Sequence, residues 1–573
     1  MYILISFLSG IITALPLLFP DLYILSWFSV TPLLWLIIKK KPLYRYALFW
    51  GIGYYGISYH WFTELYPMDF AGFSKPGAIV TIALCWIGLT LLQAAWIALI
   101  APLTKLCSRL RARFGEWTAT VFVAASFTAL ELCQTKTWLG VPFFRLALTQ
   151  SGSLQTVQSA SVFGSLFISF LIILVNGLIV LGFTENGKSK KETSSKKKDK
   201  HSGRYRKLVP GENMPKTKVK SEFRSGIFCK NLYVITAVIL VVINYCFGIL
   251  HIALDEKNGK TVRVALIQGN ISASEKWNTM SSADTLELYA GLTEEAIEAC
   301  EPQIVVWPES VINADLNYYE SYKEKIKAIA ADTGTIIVVG AFETENEYDG
   351  DGNRISKNYN SLYTFMHDGT EAENTYRKRK LVPFGEFIPM SGLLSYVLPL
   401  LTDMNLTGND ITPGDSTQIT QTPVGRLGGL ICFDSIYEEL ARDSVLDGAQ
   451  LLILSTNDSW YGESAATRQH LAHASLRAIE TGRYVVRAAS TGISAVITPT
   501  GAVTQSIGNN EEGFIYGDVL MKSDLTVFDV IGDSFAYICL TVTIIPAAIY
   551  VILRIREKIV FIKNKNKDNG KVI

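Results

Sequence analysis

Gly428-Gly429-Leu430-Ile431-Cys432-Phe433-Asp434-Ser435 reads as an apolar strand that ends on a cysteine and turns at once into a helix-like segment. A side chain on so tight a turn projects from the fold. Its sulfur would sit near the positive end of the following helix, which favours the thiolate. Such a thiol is built to attack. The competing reading is a buried structural cysteine, free cysteine being among the most buried residue types. Partners elsewhere in the chain decide between the two.

Working outward, the chain from 261 to about 527 alternates short apolar strands with amphipathic helices. Residues 262–268, 303–307, 335–342, 361–367, 426–432, 451–455 and 485–498 read as strands, and 284–300, 318–331 and 465–483 as helices. Apolar strands between helices argue an α/β core covered on both faces. The segment 388–401 is apolar, proline-broken and too short to span a membrane. It reads as an arm touching a membrane surface, with a buried hairpin as the alternative.

The rest of the 573-residue chain is different in kind. Its hydrophobic content of 49% and mean hydropathy of +0.24 describe a membrane protein carrying a water-exposed part. Apolar segments recur at about 3–18, 22–38, 45–62, 77–101, 117–133, 160–183, 232–253 and 535–554, each long enough, or nearly, to cross a bilayer core of about 30 Å. The organisation expected is then membrane helices over 1–184, a basic linker over 185–231, a seventh span at 232–254, an α/β domain over 260–528, a last span at 533–556 and a basic tail over 557–573. Lysine and arginine gather in alternate loops, 39–45, 105–113, 188–230 and 554–571. By the positive-inside rule both termini are cytoplasmic and the α/β domain faces outward.

The lysine-rich stretch 188–220 has no apolar period and reads as a solvated linker that also enforces topology. Glu131, His60 and Glu64 sit close to the expected outer boundary, where charge costs little, and no span carries a central series of paired charges such as a transporter would need. The apolar loop 138–144 faces outward and could line an entrance for lipid. Of eight cysteines, only Cys300 and Cys432 fall in the α/β half, so there is no disulfide framework. Cys300 reads as packing.

Two further stretches bring reactive side chains to strand ends. In Val306-Trp307-Pro308-Glu309-Ser310 the proline stops a strand and leaves Glu309 at its mouth. In the stretch 376–389 a basic cluster with Lys378 runs into a rigid apolar loop carrying Glu386. With Cys432 these supply a carboxylate to take a proton, an ammonium to hold oxyanion charge and a soft nucleophile, as acyl transfer through a thiol requires. A cysteine, histidine and asparagine arrangement is the rival. His470 and His473 lie one turn apart on a helix, but no histidine stands at a strand end. Paired cysteines and His-Glu-x-x-His spacing are absent, which argues against a metal site.

The order Trp-Pro-Glu, Tyr-x-Lys with Leu-Val-Pro-Phe-Gly-Glu-Phe-Ile-Pro, Ile-Cys, Asn457-Asp458-Ser459-Trp460-Tyr461-Gly462 and Gln469-His470 resembles the nitrilase superfamily. With spans before and after the domain, it is similar to the apolipoprotein N-acyltransferases of bacterial membranes. The resemblance covers nearly the whole chain apart from 185–231. It implies an αββα sandwich, no cofactor, and a two-step reaction. A fatty acyl chain passes from a phospholipid to a cysteine thioester, then to the free α-amino group of the diacylated N-terminal cysteine of an apolipoprotein, in the cytoplasmic membrane with the catalytic domain outside. It implies Glu309 as general base, Lys378 as the oxyanion-stabilising cation, Glu386 as a second carboxylate and Cys432 as acyl carrier. It further implies the Phe433 N–H as an oxyanion donor, Trp277 and Trp460 as acyl-pocket aromatics, and Asp434 as a supporting residue. Phe433 and Asp434 stand where the family often has tyrosine and glutamate, and Ser490 where asparagine is common. A tethered amidase or nitrile hydrolase of the same superfamily, or a non-catalytic lipoprotein-binding scaffold, are the alternatives.

Overall fold

The computed structural model describes residues 1–40, 43–68, 72–103, 106, 115–137, 141–183, 217–272, 275–276, 279–348, 350, 352–383, 385–387 and 411–569. The later half is built on β1 (Lys260–Gln268), β2 (Ile304–Val306), β3 (Ile312–Asp315), β4 (Ile336–Tyr348), β5 (Arg354–Phe365), β6 (Tyr376–Arg377), β7 (Thr420–Thr422), β8 (Gly425–Ile431), β9 (Leu451–Thr456), β10 (Val485–Ala489), β11 (Ser494–Ile497), β12 (Val503–Ile507) and β13 (Gly513–Met521). They form a seven-stranded sheet ordered β13-β1-β2-β4-β5-β6, with β3 beside β4, and a six-stranded sheet ordered β12-β11-β10-β9-β8-β7.

Side-chain alternation explains how the layers stack. Along β1, Val262, Val264 and Leu266 face the space between the sheets. Ala265 and Ile267 face the helices Ser282–Cys300 and Glu320–Thr333 on the other side. In the second sheet Leu451 and Ile453 point inward, while Leu452 and Leu454 meet the layer of Glu438–Leu446 and Ala466–Thr481. A slip of one residue would turn each set to the wrong face, so the register is strongly held. The result is an αββα sandwich. β1, β2 and β4 run parallel, as do β8, β9 and β10. Their C-terminal ends are where loops carrying chemistry emerge.

Several strands differ from the sequence reading. β4 and β5 extend into a polar hairpin, where Lys357 pairs with Glu347; this region has no apolar run to betray it. The expected strand 485–498 is two, β10 and β11, paired antiparallel. β13 pairs with β1 along its whole length, but its half-exposed residues hide it from a burial pattern.

Among the described residues five helices are long and apolar enough to cross a membrane: Pro20–Lys40, Lys75–Leu103, Ser165–Phe183, Asn231–Ala253 and Ser534–Ile562. Tyr2–Leu18 is shorter and packs on Tyr44–Ser58. A Cβ at Gly10 would lie 2.1 Å from the Trp50 carbonyl oxygen, and one at Gly53 2.3 Å from that of Phe7. Only glycine permits that approach. Trp117–Lys136 is largely buried within the bundle.

The expected segment 160–183 is interrupted. Ala160–Phe163 ends at Gly164, whose φ of +77° starts a new helix, and the Phe528 ring stands where a Cβ would be. The seventh helix is continuous over Thr217–Ala253, so no break occurs at 231, and the last runs over Ser534–Asn569 into the expected tail. The basic residues 188–216 and the apolar arm 388–401 lie outside the described residues. The core behind the second sheet is continuous with the membrane bundle, one apolar cluster including Trp50, Phe144, Leu454 and Ile479.

Candidate active site

Glu309 leaves the end of β2 just after Pro308. Gly340 on β4 lets that loop lie flat, since a Cβ there would stand 2.2 Å from the Pro308 carbonyl oxygen. Lys378 follows β6, and its N–H donates to the Asn360 carbonyl at 2.8 Å. Cys432 directly follows β8 with φ +47° and opens the short helical turn Cys432–Ile436. A non-glycine residue held there stores strain that surrounding contacts must sustain.

These three loops converge. Lys378 Nζ donates to Glu309 Oε1 at 2.8 Å and to Glu386 Oε1 at 2.9 Å. Asn360 Nδ2 donates to the same two oxygens at 2.8 and 3.1 Å. The other Glu309 oxygen accepts the Asn457 N–H at 2.8 Å, and the other Glu386 oxygen accepts the Val382 N–H at 2.9 Å. Both carboxylates are thus fixed in rotation. Asn360 lies inside β5 and Asn457 just beyond β9; Asn457 opens a motif of the resemblance without a role of its own, and Asn360 belongs to none of the motifs. A polar residue within an apolar strand is the only signal Asn360 gives.

Burial raises the proton affinity of Glu309, but the Lys378 ammonium and the bonds from Lys378 and Asn360 outweigh it and hold the carboxyl below the usual range. Burial opposes charge on Lys378, yet Glu309 and Glu386 hold its pKa well above that of a free lysine. For Cys432, burial and then the Glu309 charge push the thiol well up, against the smaller pull of Lys378. This corrects the expectation of a thiolate favoured by the helix: the following turn is only five residues long, and the resting sulfur is a neutral thiol beside an ionised carboxylate.

Asp434 supports the site from outside the cavity. It is fully buried, accepting the N–H of Ile431 at 3.0 Å, the N–H of Lys380 at 2.8 Å and the Tyr376 hydroxyl at 2.9 Å. It ties the cysteine turn to the lysine loop and is not part of the cavity wall. Phe433 does line the cavity and packs edge-on to Tyr437. Trp460 lines it as well, whereas Trp277 lies outside the described residues. Ser490 is buried and bonds through its backbone to Thr456 and Asn270. Beside the expected set stands Lys276, buried and bonded to Ser310 Oγ at 2.7 Å, its pKa lowered by burial to about 8.

The cavity holding these residues measures about 480 Å³. Cys432, Glu309, Lys378 and Glu386 form one part of its wall. The opposite part is apolar and comes from the membrane half: Leu84, Cys85, Gly88 and Leu92 on Lys75–Ala98, with Trp61 and Phe143. Trp61 meets Tyr461 edge-on at 4.8 Å, closing the seam between the halves. Phe143 brings the expected lipid-side loop onto the cavity; residues 138–140 of that loop lie outside the described residues.

His470 is nearer the chemistry than its sequence position suggested. Its Nδ1 lies 2.8 Å from Asp458 Oδ1, and its Nε2 is 3.1 Å from the Cys432 carbonyl oxygen and 3.0 Å from Ser435 Oγ. Arg487 bonds the other Asp458 oxygen at 2.6 Å. Cys432, Asp458 and His470 offer ligand atoms within 4.8 Å of one another. A cation there would have to displace the guanidinium already paired with Asp458, so the donor set is engaged as an ion pair. His473 instead bonds the Phe143 carbonyl at 2.9 Å.

Glu131 is also corrected. Its charge is buried inside the protein rather than exposed, accepting the Leu146 N–H at 2.9 Å near Arg145, which pairs with Glu438 at 2.6 Å.

Comparison with known proteins accords with this geometry. Residues 263–523 match the model of the carbon-nitrogen hydrolases, and residues 9–178 that of the apolipoprotein N-acyltransferase N-terminal domain. The chain is similar to the apolipoprotein N-acyltransferase of Geobacter metallireducens, 28% identical over 95% of this chain and 94% of that one. It is likewise similar to that of Gloeobacter violaceus, 27% identical over 89% and 87%. Among solved structures it is similar to Saccharomyces cerevisiae Nit3, a member of branch 10 of the nitrilase superfamily. That likeness is 21% identical, covers 46% of this chain and 90% of that one, and has a TM-score of 0.34.

Proposed function

The chain belongs to the apolipoprotein N-acyltransferases, and from that premise we propose that Cys432 carries the acyl group, with Glu309 as base, Lys378 as oxyanion cation and Glu386 fixing the lysine. The protein is an acyltransferase of lipoprotein maturation, working through a cysteine, with a phospholipid donor and a lipoprotein acceptor. The observation that carries the residue assignment is the single cavity in which Cys432, Glu309 and Lys378 meet an apolar wall from a membrane helix.

In the first step the thiol proton passes to Glu309 as the sulfur attacks the donor ester carbonyl. Because the free thiol holds its proton tightly and Glu309 is a weak base, transfer and attack are coupled. Negative charge then collects on the carbonyl oxygen beside the Lys378 ammonium and the Phe433 N–H. The ester C–O bond breaks, and protonated Glu309 gives its proton to the departing lysophospholipid oxygen. In the second step the acceptor's neutral α-amine attacks the thioester, Glu309 takes the amine proton, and the thiolate leaves and is reprotonated from Glu309. No ATP is needed, since thioester and ester are close in reactivity. The apolar wall limits water, which favours transfer over hydrolysis.

The acceptor is a diacylated N-terminal cysteine bearing a free amine. The arrangement of lysines and arginines supports an extracytoplasmic catalytic half with both termini in the cytoplasm. The test is intact-protein mass measurement of wild type and Cys432→Ala after exposure to phospholipid, then to a diacylated lipopeptide. An acyl mass on wild type alone, discharged onto the lipopeptide, is expected. An adduct lost equally fast without lipopeptide would make the protein a hydrolase, and no adduct at all would overturn the assignment of Cys432.

A further inference from the structure

Four polar side chains, none of them lining the cavity, stand against the nucleophile turn: His470, Ser435, Asp458 and Arg487. The Cys432 carbonyl oxygen faces His470 Nε2 at 3.1 Å and receives the Ser435 hydroxyl at 2.8 Å. His470 Nδ1 faces Asp458 Oδ1 at 2.8 Å, and Asp458 is itself held by Arg487. Both ring nitrogens therefore face oxygen: a carboxylate on one side, a carbonyl and a hydroxyl on the other. Nδ1 sits between the Asp458 carboxylate and Arg487 Nη2, which lies 3.2 Å from it, and an N–H on Nε2 donates to the carbonyl. All four residues are buried, so the arrangement is not exchanged with water.

That carbonyl is half of one peptide unit, and the other half is the Phe433 N–H. In a trans peptide the two point in opposite directions. Donors on the Cys432 oxygen draw electron density through the amide and make the Phe433 N–H a stronger donor on the far side. They also pin a turn whose φ of +47° would otherwise relax.

We infer that His470, held by Asp458, is a positioning residue that acts through the Cys432–Phe433 peptide to strengthen and aim the oxyanion-binding N–H. Ser435 assists it on the same carbonyl. His470 touches neither substrate nor the sulfur's proton, and Glu309 remains the base. The inference rests on the acyl-transfer reading for the step it accelerates.

The experiment compares two reactions of Cys432 in the full-length protein. Acylation by phospholipid, or by a short-chain p-nitrophenyl ester, passes through an oxyanion; alkylation by iodoacetamide does not. Asparagine at 470 can mimic only Nδ1, whereas glutamine can carry an amide N–H to the place of Nε2. His470→Asn is expected to slow acylation about tenfold while alkylation stays within about twofold, and His470→Gln to restore most of the rate. Unchanged acylation in His470→Asn, or an equal fall in both reactions, would overturn the inference, the latter because it would mean the histidine merely holds the sulfur in place. Should His470→Asn fail to fold, Ser435→Ala removes the other donor and is expected to show the same selective loss, with an unselective or absent effect counting against the inference. If wild type takes no acyl group from phospholipid, the acyltransferase reading fails by itself, and the p-nitrophenyl ester still decides the role of His470.

Discussion

Lys378 donates to Glu309 across 2.8 Å in a site where both side chains are almost wholly buried. The same ammonium reaches Glu386, so one cation sits between two carboxylates. Lys378→Met would leave those carboxylates facing each other across Asn360. One must then hold a proton, and the oxyanion loses its cation. Formation of the acyl-enzyme is expected to fall by about 10²-fold or more in single-turnover mass measurements. A rate within about threefold of wild type would show that the oxyanion is stabilised elsewhere.

Gly88 lines the cavity on the membrane helix, and a Cβ built there would meet nothing within 4 Å. Gly88→Leu therefore meets no clash at its Cβ and carries its branch into the cavity. Donors with long acyl chains are expected to lose about tenfold in kcat/KM, while short-chain donors change little, as one or a few methylenes of lost room are worth about 1–3 kcal/mol. An equal loss for all chain lengths would mean that the chain does not run along this helix.

Arg145 and Glu438 pair at 2.6 Å with both side chains 2% exposed. Arg477 and Glu480 pair beside them at 2.7 Å, and burial raises Glu480 to about 7. Arg145→Met strands Glu438 without its closest cation and should cost about 3–5 kcal/mol, seen as a lowered melting temperature or poor accumulation. Adding Glu438→Gln should recover part of that loss. If the double variant is as unstable as the sum of the singles, the pair is not the source.

Lys276 carries a pKa of about 8, lowered by burial, against about 10.4 in an unfolded chain. The folded protein binds this proton less tightly than the unfolded one. Its unfavourable contribution, on the order of 3 kcal/mol, is full below pH 8 and is relieved as pH rises towards 10.4. Lys276→Met should therefore be more stable than wild type at pH 7, by a margin that shrinks as pH is raised to 10. A margin constant with pH would show that Lys276 is not the titrating group.

The strand-end positions of Glu309, Lys378 and Cys432 could be read because a proline and a basic cluster mark two of the stops, and Cys432 directly follows the apolar run Leu430-Ile431 that closes β8. The layering could be read from the continuous apolar runs of β1, β8 and β9, which are buried on both faces. What could not be read depends on distant pairing. Asn360 looks like any polar residue in a strand until β5 lies beside β4 and brings it under Glu309. His470 lies on a helix 38 residues beyond Cys432, and only the stacking of that helix behind the second sheet brings the ring to the turn. Glu131 seemed inexpensive near a span end because its partners, Arg145 and Glu438, come from separate parts of the chain. The break at Gly164 is imposed by Phe528, far along the sequence.

The seam where Trp61 meets Tyr461 makes the helices more than a mooring. Half of the reaction chamber is furnished by the part that sits in lipid, so cutting the α/β half free would open its nucleophile to bulk water and uncover part of the apolar layer behind its second sheet. A soluble version of this enzyme would need a replacement for Leu84, Gly88 and Phe143, not simply the removal of an anchor.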